Sequence, residues 1–93
     1  MKTDEFMGIV LPVAKLVELK SGDYPVDASA VTLEQYFPFG HKSYAHMVWT
    51  KGLRLRSLVA SEKVPTFEGV EDTVDDMIAY LVFYKKYLTS LKK

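Results

Sequence analysis

The feature that most constrains this chain is a segment near its C-terminus in which apolar residues recur every three or four positions. Within residues 68–91 these are Val70, Val74, Met77, Ile78, Leu81, Tyr84 and Leu88. Apolar residues at this spacing lie along one side of an α-helix. Acidic residues in the first turns and lysines near the end match the polarity that the helix dipole favours. We therefore predict a helix over 68–91, with this apolar stripe facing the core.

A second helix is predicted at the N-terminal end, from Asp4 to Lys20. Thr3 is a candidate N-cap, and Ser21-Gly22 forms a stop signal. Pro12 lies inside this segment, and a proline ring clashes with the carbonyl group one turn earlier. The sequence therefore predicts a helix that is kinked or split at Pro12.

A third helix is predicted from Lys42 or Ser43 to Glu62, with Ser43 as its N-cap after the breaker Pro38-Phe39-Gly40. Its apolar stripe contains Tyr44, Met47, Val48, Leu55, Leu58 and Val59. Turn residues mark 22–40 as a loop, and a short helical turn from Thr32 to Phe37 is expected within it. No extended period-two pattern predicts a strand.

The length of the chain sets the domain organisation. Ninety-three residues form one domain, and a chain of this size buries only about 60–65% of the surface that its unfolded form exposes. A composition of 48% apolar and 13% aromatic residues excludes a disordered tail. The prediction is a single all-α domain over 1–93, a small bundle of three main helices that is completed by homo-oligomerisation.

Charge and cysteine content exclude several classes of protein. Twelve basic and twelve acidic residues cancel, which argues against generic binding to nucleic acids or anionic membranes. The absence of cysteine excludes disulfides, thiolate metal sites and a cysteine nucleophile. The longest apolar run, from Ile9 to Ala14, is far too short to span a bilayer. We therefore expect a soluble cytoplasmic domain without a membrane partner.

The acidic residues are concentrated at the start of the C-terminal helix, as Glu68, Glu71, Asp72, Asp75 and Asp76. One interpretation is a solvated helix end, stabilised by the dipole. However, Ala79 and Phe83 continue the line of the acids, which predicts a helix buried both against its own chain and against a partner. Clustered carboxylates in such a place favour a cation, and Asp72 and Asp76, one turn apart, can face one magnesium ion.

A basic counterpart lies on the preceding helix. Lys51 falls within the apolar stripe of that helix, and Arg54 flanks the same face. A lysine in this position can extend its ammonium group to solvent from an apolar surface. Alternatively, it can meet the carboxylates of the neighbouring helix or the phosphates of a nucleotide. Acids on one helix and cations on the next are the two halves of a phosphate-handling site.

Three elements of the sequence resemble those of a known family, the nucleotide modification associated domain (type 1). The run Glu68-Gly-Val-Glu71-Asp72-Thr73-Val-Asp-Asp76-Met-Ile-Ala-Tyr80 resembles its C-terminal signature. Lys20-Ser-Gly-Asp23-Tyr24 is similar to its Lys-x-x-Asp-Tyr-Gly element, and Lys51-x-x-Arg54-Leu55 to its Asp-Lys-x-x-Arg-Leu element. The three occur in the family's order and span about Leu16 to Leu88.

This resemblance implies a small helical protein of phages or bacteria that acts in nucleotide metabolism or DNA modification. It further implies a likeness to nucleotide pyrophosphohydrolases of the MazG type, which are oligomeric and bind magnesium. Carried onto this chain, it implies catalytic and phosphate-binding roles for Lys51 and Arg54, substrate binding by Asp23 and Tyr24, and magnesium binding by Glu68, Asp72 and Asp76. The expected location is the cytoplasm of a bacterium or of a phage-infected host.

The chain departs from the family pattern at three positions. Pro25 replaces a glycine, Thr50 replaces an acid before the lysine, and Gly69 replaces a serine at the start of the last helix. The alternative function is therefore a non-enzymatic helical dimer that acts as a phage accessory or interaction protein. In that case the acids face solvent and Lys51 only extends past apolar neighbours.

Overall fold

The computed structural model describes residues 1–21, 32–61 and 67–92, without the side chains of Phe67 and Glu68. Four helices account for most of these residues: α1 (Thr3–Ser21), α2 (Leu33–Tyr36), α3 (His41–Ala60) and α4 (Phe67–Ser90). No strand occurs in the described ranges. The predicted all-α fold with three main helices is confirmed. None of the helices described is both long and apolar enough to cross a bilayer.

The longest helix, α4, holds the other two main helices together. Both α1 and α3 pack against it, whereas α1 and α3 do not approach each other closely within the described residues. α3 runs antiparallel to α4, because His41 at its start meets Tyr84 and Lys51 farther along meets Asp76. The end of α1 also reaches Asp76, through Lys20. Asp76 is therefore the point at which all three helices meet.

Aromatic side chains fill the core at the other end of this assembly. The aromatic cluster comprises buried Phe37, Tyr44 and Phe83, surrounded by half-buried Tyr80, Tyr84 and Tyr87. Three of its rings form a stack, with centroids 4.5 Å apart for Phe37 and Tyr44 and 5.3 Å apart for Tyr44 and Tyr84. Packing between helices accounts for the tyrosines of α4.

The connection between α2 and α3 is shaped by a cap and a glycine. Thr32 caps α2, where its hydroxyl accepts from the Gln35 backbone while the Gln35 side chain accepts from the Thr32 backbone. This confirms the predicted short helix. Gly40 precedes α3 with a φ of 55°, a left-handed conformation that glycine adopts most readily. The ring of Tyr87 lies where a Cβ atom at this position would be, so a larger residue requires that ring to shift.

Two predicted helix caps are wrong. Thr3 lies inside α1 as its first residue. Gly40, not Ser43, is the N-cap of α3, and Ser43 lies within the first turn, where its hydroxyl accepts a hydrogen bond from the Phe39 backbone at 2.9 Å. A serine can accept a hydrogen bond from a backbone N–H group either as the N-cap or from within the first turn. Its presence alone therefore does not fix the first residue of a helix.

Pro12 does not split α1, which runs from Thr3 to Ser21 as one helix. Pro12 and Gly8, whose carbonyl loses its usual partner, are both exposed. Water can therefore bond to that carbonyl, which lowers the cost of a proline inside the helix.

The inner side of α4 differs from the predicted apolar stripe. Ala79 and Phe83 are among its most buried residues, whereas the predicted core residues Val74 and Leu81 are 38% and 47% exposed. Ala79 and Phe83 continue the line of the acidic residues along the helix, and this line was predicted to meet a partner. The chain itself covers it instead. Because α4 is apolar on both sides, the spacing does not show which side the rest of the chain covers.

A polar residue, Thr73, is also buried on the inner side of α4, with 2% of its surface exposed. Its hydroxyl donates a hydrogen bond to the carbonyl oxygen of Gly69, one turn earlier, at 2.7 Å. The bond avoids the cost of burying an unpaired hydroxyl. The small side chain of Thr73 thus lies in the packed interior one turn from Asp76.

Candidate functional site

The candidate site, here called the lysine site, consists of Lys20 of α1, Lys51 of α3, and Asp76 and Tyr80 of α4. Each carboxylate oxygen of Asp76 faces one ammonium group. The distances are 3.0 Å from Lys20 Nζ to Oδ1 and 3.4 Å from Lys51 Nζ to Oδ2. Both ammonium nitrogens also lie 5.8 Å from the centre of the Tyr80 ring. Two cations from separate helices thus converge on one carboxylate beside one aromatic face.

Regular helical spacing positions each member of the lysine site. On α1, Lys20 lies on the same side as buried Val13 and half-buried Val17, so its stem follows the packed face. On α3, Lys51 is two turns beyond buried Tyr44. Asp76 likewise precedes Phe83 by two turns on α4. The packing that buries the apolar residues therefore brings the charged groups together.

The lysine site is partly shielded from water. About a quarter of each charged side chain is accessible: 25% for Lys20, 24% for Lys51 and 28% for Asp76. Two ammonium groups and one carboxylate leave one positive charge in excess. A cation within about 6 Å of a ring centre is further stabilised by the ring's electrons, which favours both lysines beside Tyr80. The site is therefore suited to an additional anionic group.

The structure brings together two of the sequence-predicted site residues, Lys51 and Asp76, across the α3–α4 contact. A contact of Lys51 with a carboxylate of the neighbouring helix is one of the alternatives that the sequence left open for this lysine. Asp72 lies one turn before Asp76 and is exposed. Arg54 is also exposed and forms no ion pair with any described residue.

The other predicted site residues lie outside what the structure describes. Asp23 and Tyr24 fall in the range 22–31, which is not described. Glu68 belongs to α4, but its side chain is not described. Substrate binding by Asp23 and Tyr24 and metal binding by Glu68 remain predictions.

Lys20 and Tyr80 are members of the site that the sequence did not predict. Lys20 is in the last turn of α1, where a lysine is expected simply because it complements the helix dipole. The spacing of Lys20 from Val13 and Val17 could have indicated its position, because steps of three and four residues place Lys20 on the packed side of α1. Tyr80 follows Asp76 by one turn and shares its direction in the same way.

The described carboxylates do not by themselves fit a magnesium site. Within the described residues no group of three or more metal-ligating side chains comes together. Both oxygens of Asp76 contact ammonium groups, and a magnesium ion there would have to displace them. Asp72 provides one further exposed carboxylate. The geometry of the described part favours anion binding over cation binding.

A separate cleft of about 300 Å³ lies near the aromatic cluster. Its lining includes the charged side chains of Glu34 and Lys86, together with Phe37, Gly40 and Tyr87. Among the described residues, none that the sequence predicted to be functional lines it. The lysine site, which contains two predicted residues, is therefore the better candidate.

Comparison with known proteins identifies no relative. No family model, curated protein or solved structure matches the chain. The likeness to the nucleotide modification associated domain rests on the three sequence elements alone.

Proposed function

We propose that the lysine site binds a phosphate-bearing small molecule, and that this ligand is a nucleotide. The observation that carries the proposal is the convergence of Lys20 and Lys51 on the single carboxylate of Asp76. The nucleotide class comes from the resemblance of the sequence elements. The proposal places phosphate oxygens against the two ammonium groups, as charge-assisted hydrogen-bond acceptors.

In this account Asp76 acts as an internal competitor for the lysines. Its carboxylate holds the two ammonium groups together before the ligand arrives, so the cost of bringing two like charges close is already offset. A phosphate group carries more negative charge than one carboxylate and offers more acceptor oxygens. It therefore competes effectively for the lysines, and Arg54, which is exposed on the same helix as Lys51, is available to a longer phosphate chain.

Hydrolysis of a nucleoside triphosphate to release pyrophosphate is the enzymatic form of the proposal, and it requires magnesium. The sequence resemblance assigns that ion to Glu68, Asp72 and Asp76, but the described carboxylates do not by themselves fit it, because both oxygens of Asp76 face lysines. Magnesium supplies charge neutralisation at the phosphates. Because Asp76 is paired with lysines, we expect phosphate binding to occur without magnesium, and magnesium to matter only for turnover.

Calorimetric titration with inorganic triphosphate and each common nucleoside triphosphate, first with chelator and then with magnesium, tests the proposal. We expect binding in the chelator and about tenfold weaker binding to Lys51→Met, corresponding to about 1.4 kcal/mol. Lys42→Met, an exposed lysine on the same helix, is the matched control and should bind normally. If no compound gives heat or raises the melting temperature, the proposal is wrong.

The second candidate function is a non-enzymatic interaction protein. It is favoured by the fact that both Asp76 oxygens already have cationic partners. In that case the ion pairs only hold α1, α3 and α4 together. Normal biological activity of the Lys51→Met variant, with no nucleotide binding by the wild type, would favour this candidate.

A further inference from the structure

The outer side of α4 carries an apolar stripe with the spacing of a coiled-coil seam. Its members are separated alternately by four and three residues, the seven-residue period of packed helices; they are Val70, Val74, Met77, Leu81, Tyr84 and Leu88. We call this set the heptad stripe. Over this length it extends for about 27 Å along the helix.

Among the described residues, the contacts of the heptad stripe with the rest of the chain lie along one edge, next to α3. Met77 and Tyr84 are half-buried next to α3, where Met77 approaches Gly52 and Tyr84 stacks on Tyr44. Val74, Leu81 and Leu88 are 38%, 47% and 37% exposed. A regular stripe of this kind differs from the isolated apolar residues that are normal on a protein surface. It has the pattern of a helix that packs against another helix.

Two charged residues flank the heptad stripe on the edge that faces away from α3, and they indicate which partner helix can pack against it. Glu71 and Lys85 are both exposed and occupy the same heptad position, the one that follows the Val70, Met77 and Tyr84 positions. Ile78, half-buried, lies at the same position midway between them. An α4 from a second copy, packed antiparallel, would place Glu71 against the partner's Lys85. The two-fold symmetry repeats this ion pair at the other end.

The same antiparallel register also matches the apolar residues. When Leu81 packs against the partner's Met77, Val74 meets the partner's Tyr84 and Leu88 meets the partner's Val70. A parallel arrangement instead sets Lys85 against the partner's Tyr80 and leaves Lys85 without an oppositely charged partner. Charge complementarity therefore selects the antiparallel orientation.

We infer that the heptad stripe is a homodimer interface, in which the α4 helices of two copies pack antiparallel with Ile78 beside the two-fold axis. The occupant is a second copy of this chain, because its own α4 supplies both the matching apolar register and the opposite charges. The inference is independent of phosphate binding, since the heptad stripe includes neither Asp76 nor Tyr80, the two residues that α4 contributes to the lysine site.

Sedimentation equilibrium of the full chain tests this inference. We expect a dimer for the wild type and a monomer for Leu81→Asp, which places a charge in the middle of the seam. Leu53→Asp, at a comparably exposed leucine on α3 outside the stripe, is the matched control and should stay dimeric. A monomeric wild type, or a Leu53→Asp variant that dissociates while Leu81→Asp does not, would overturn the inference.

Charge reversal tests the orientation without disturbing apolar packing. Glu71→Lys and Lys85→Glu should each weaken the dimer about tenfold or more, and the double variant should restore it. Within one chain the two residues are about 21 Å apart, so restoration cannot arise inside a single copy. Single variants that dimerise as well as the wild type, or a double variant that remains weak, would contradict the antiparallel register.

Cross-linking gives an independent measurement, because the natural chain has no cysteine. A short bismaleimide should join two copies of Ile78→Cys, whose substituted positions lie beside the two-fold axis. Leu88→Cys should not be joined, because its two copies are about 27 Å apart in the antiparallel arrangement. Joining of Leu88→Cys but not of Ile78→Cys would show a parallel dimer and overturn the inference. Titration of Leu81→Asp with nucleotide shows whether the lysine site still binds its ligand when the dimer is lost. A failure of the dimer inference is thus distinguished from a failure of the proposed function.

Discussion

The two ends of the inner side of α4 are built from different interactions. At the C-terminal end, Phe83 packs with Phe37 and Tyr44, and all three are less than 7% exposed. At the N-terminal end, Asp76 holds two lysines that each remain about a quarter exposed. Burial of aromatic surface contributes much more to stability than partly solvated ion pairs do. The aromatic end therefore supports the fold, and the ionic end is available for binding.

The largest effect is expected from breaking the aromatic end. Phe83→Ala should lower the free energy of unfolding by about 3–5 kcal/mol, because it removes a buried ring and leaves a cavity. Denaturant unfolding followed by circular dichroism measures the change. Trp49→Ala, at an aromatic residue that is 61% exposed, should change stability by only about 0.5 kcal/mol. Equal losses for the two variants would contradict the assignment of the core.

A backbone change at the same end should have the next largest effect. Gly40→Ala should cost about 1–3 kcal/mol, because alanine is strained at positive φ and its methyl group would overlap the Tyr87 ring. Combining the substitution with Tyr87→Leu should recover part of the loss. If Gly40→Ala unfolds at the wild-type denaturant concentration, the close approach of the α2–α3 turn to α4 is wrong.

Breaking the ionic end should cost much less. Lys20→Met should lower the free energy of unfolding by about 1 kcal/mol or less, since exposed and partly exposed ion pairs contribute little. Lys15→Met, an exposed lysine on the same helix, is the control and should be neutral. A loss as large as that of Phe83→Ala would show that the lysine site is a structural element, and so would remove the contrast between the two ends.

The smallest effect on the free energy of unfolding is expected at Gly52, between the two ends, where the substitution should stabilise the protein. Gly52→Ala should raise the free energy of unfolding by about 0.5–1 kcal/mol, the difference in helix propensity between the two residues. A Cβ atom there would contact Met77 at 4.0 Å, an ordinary van der Waals distance. A destabilised variant would show that α3 and α4 pack more closely at this point than described.

Much of this arrangement follows from the sequence, and what does not has physical reasons. The helical periodicity predicted α4, and the positions of Lys51 and the acids left a contact between them open as one alternative. The inner side of α4 was predicted wrongly because both Phe83 and Leu81 lie on apolar lines, and periodicity does not say which one the chain covers. The spacing of Lys20 from Val13 and Val17 places it on the packed side of α1, but its contact with Asp76 depends on how α1 is placed against α4, which no local pattern encodes.

The most direct test of the central claim is the affinity of Asp76→Asn for inorganic triphosphate in magnesium-free buffer, measured by calorimetric titration against the wild type. If the lysines of α1 and α3 bind phosphate and Asp76 competes for them, removing its charge should raise the affinity by about threefold to tenfold. Loss of binding in this variant would contradict the account, because Asp76 would then be required to hold the ligand instead of competing with it.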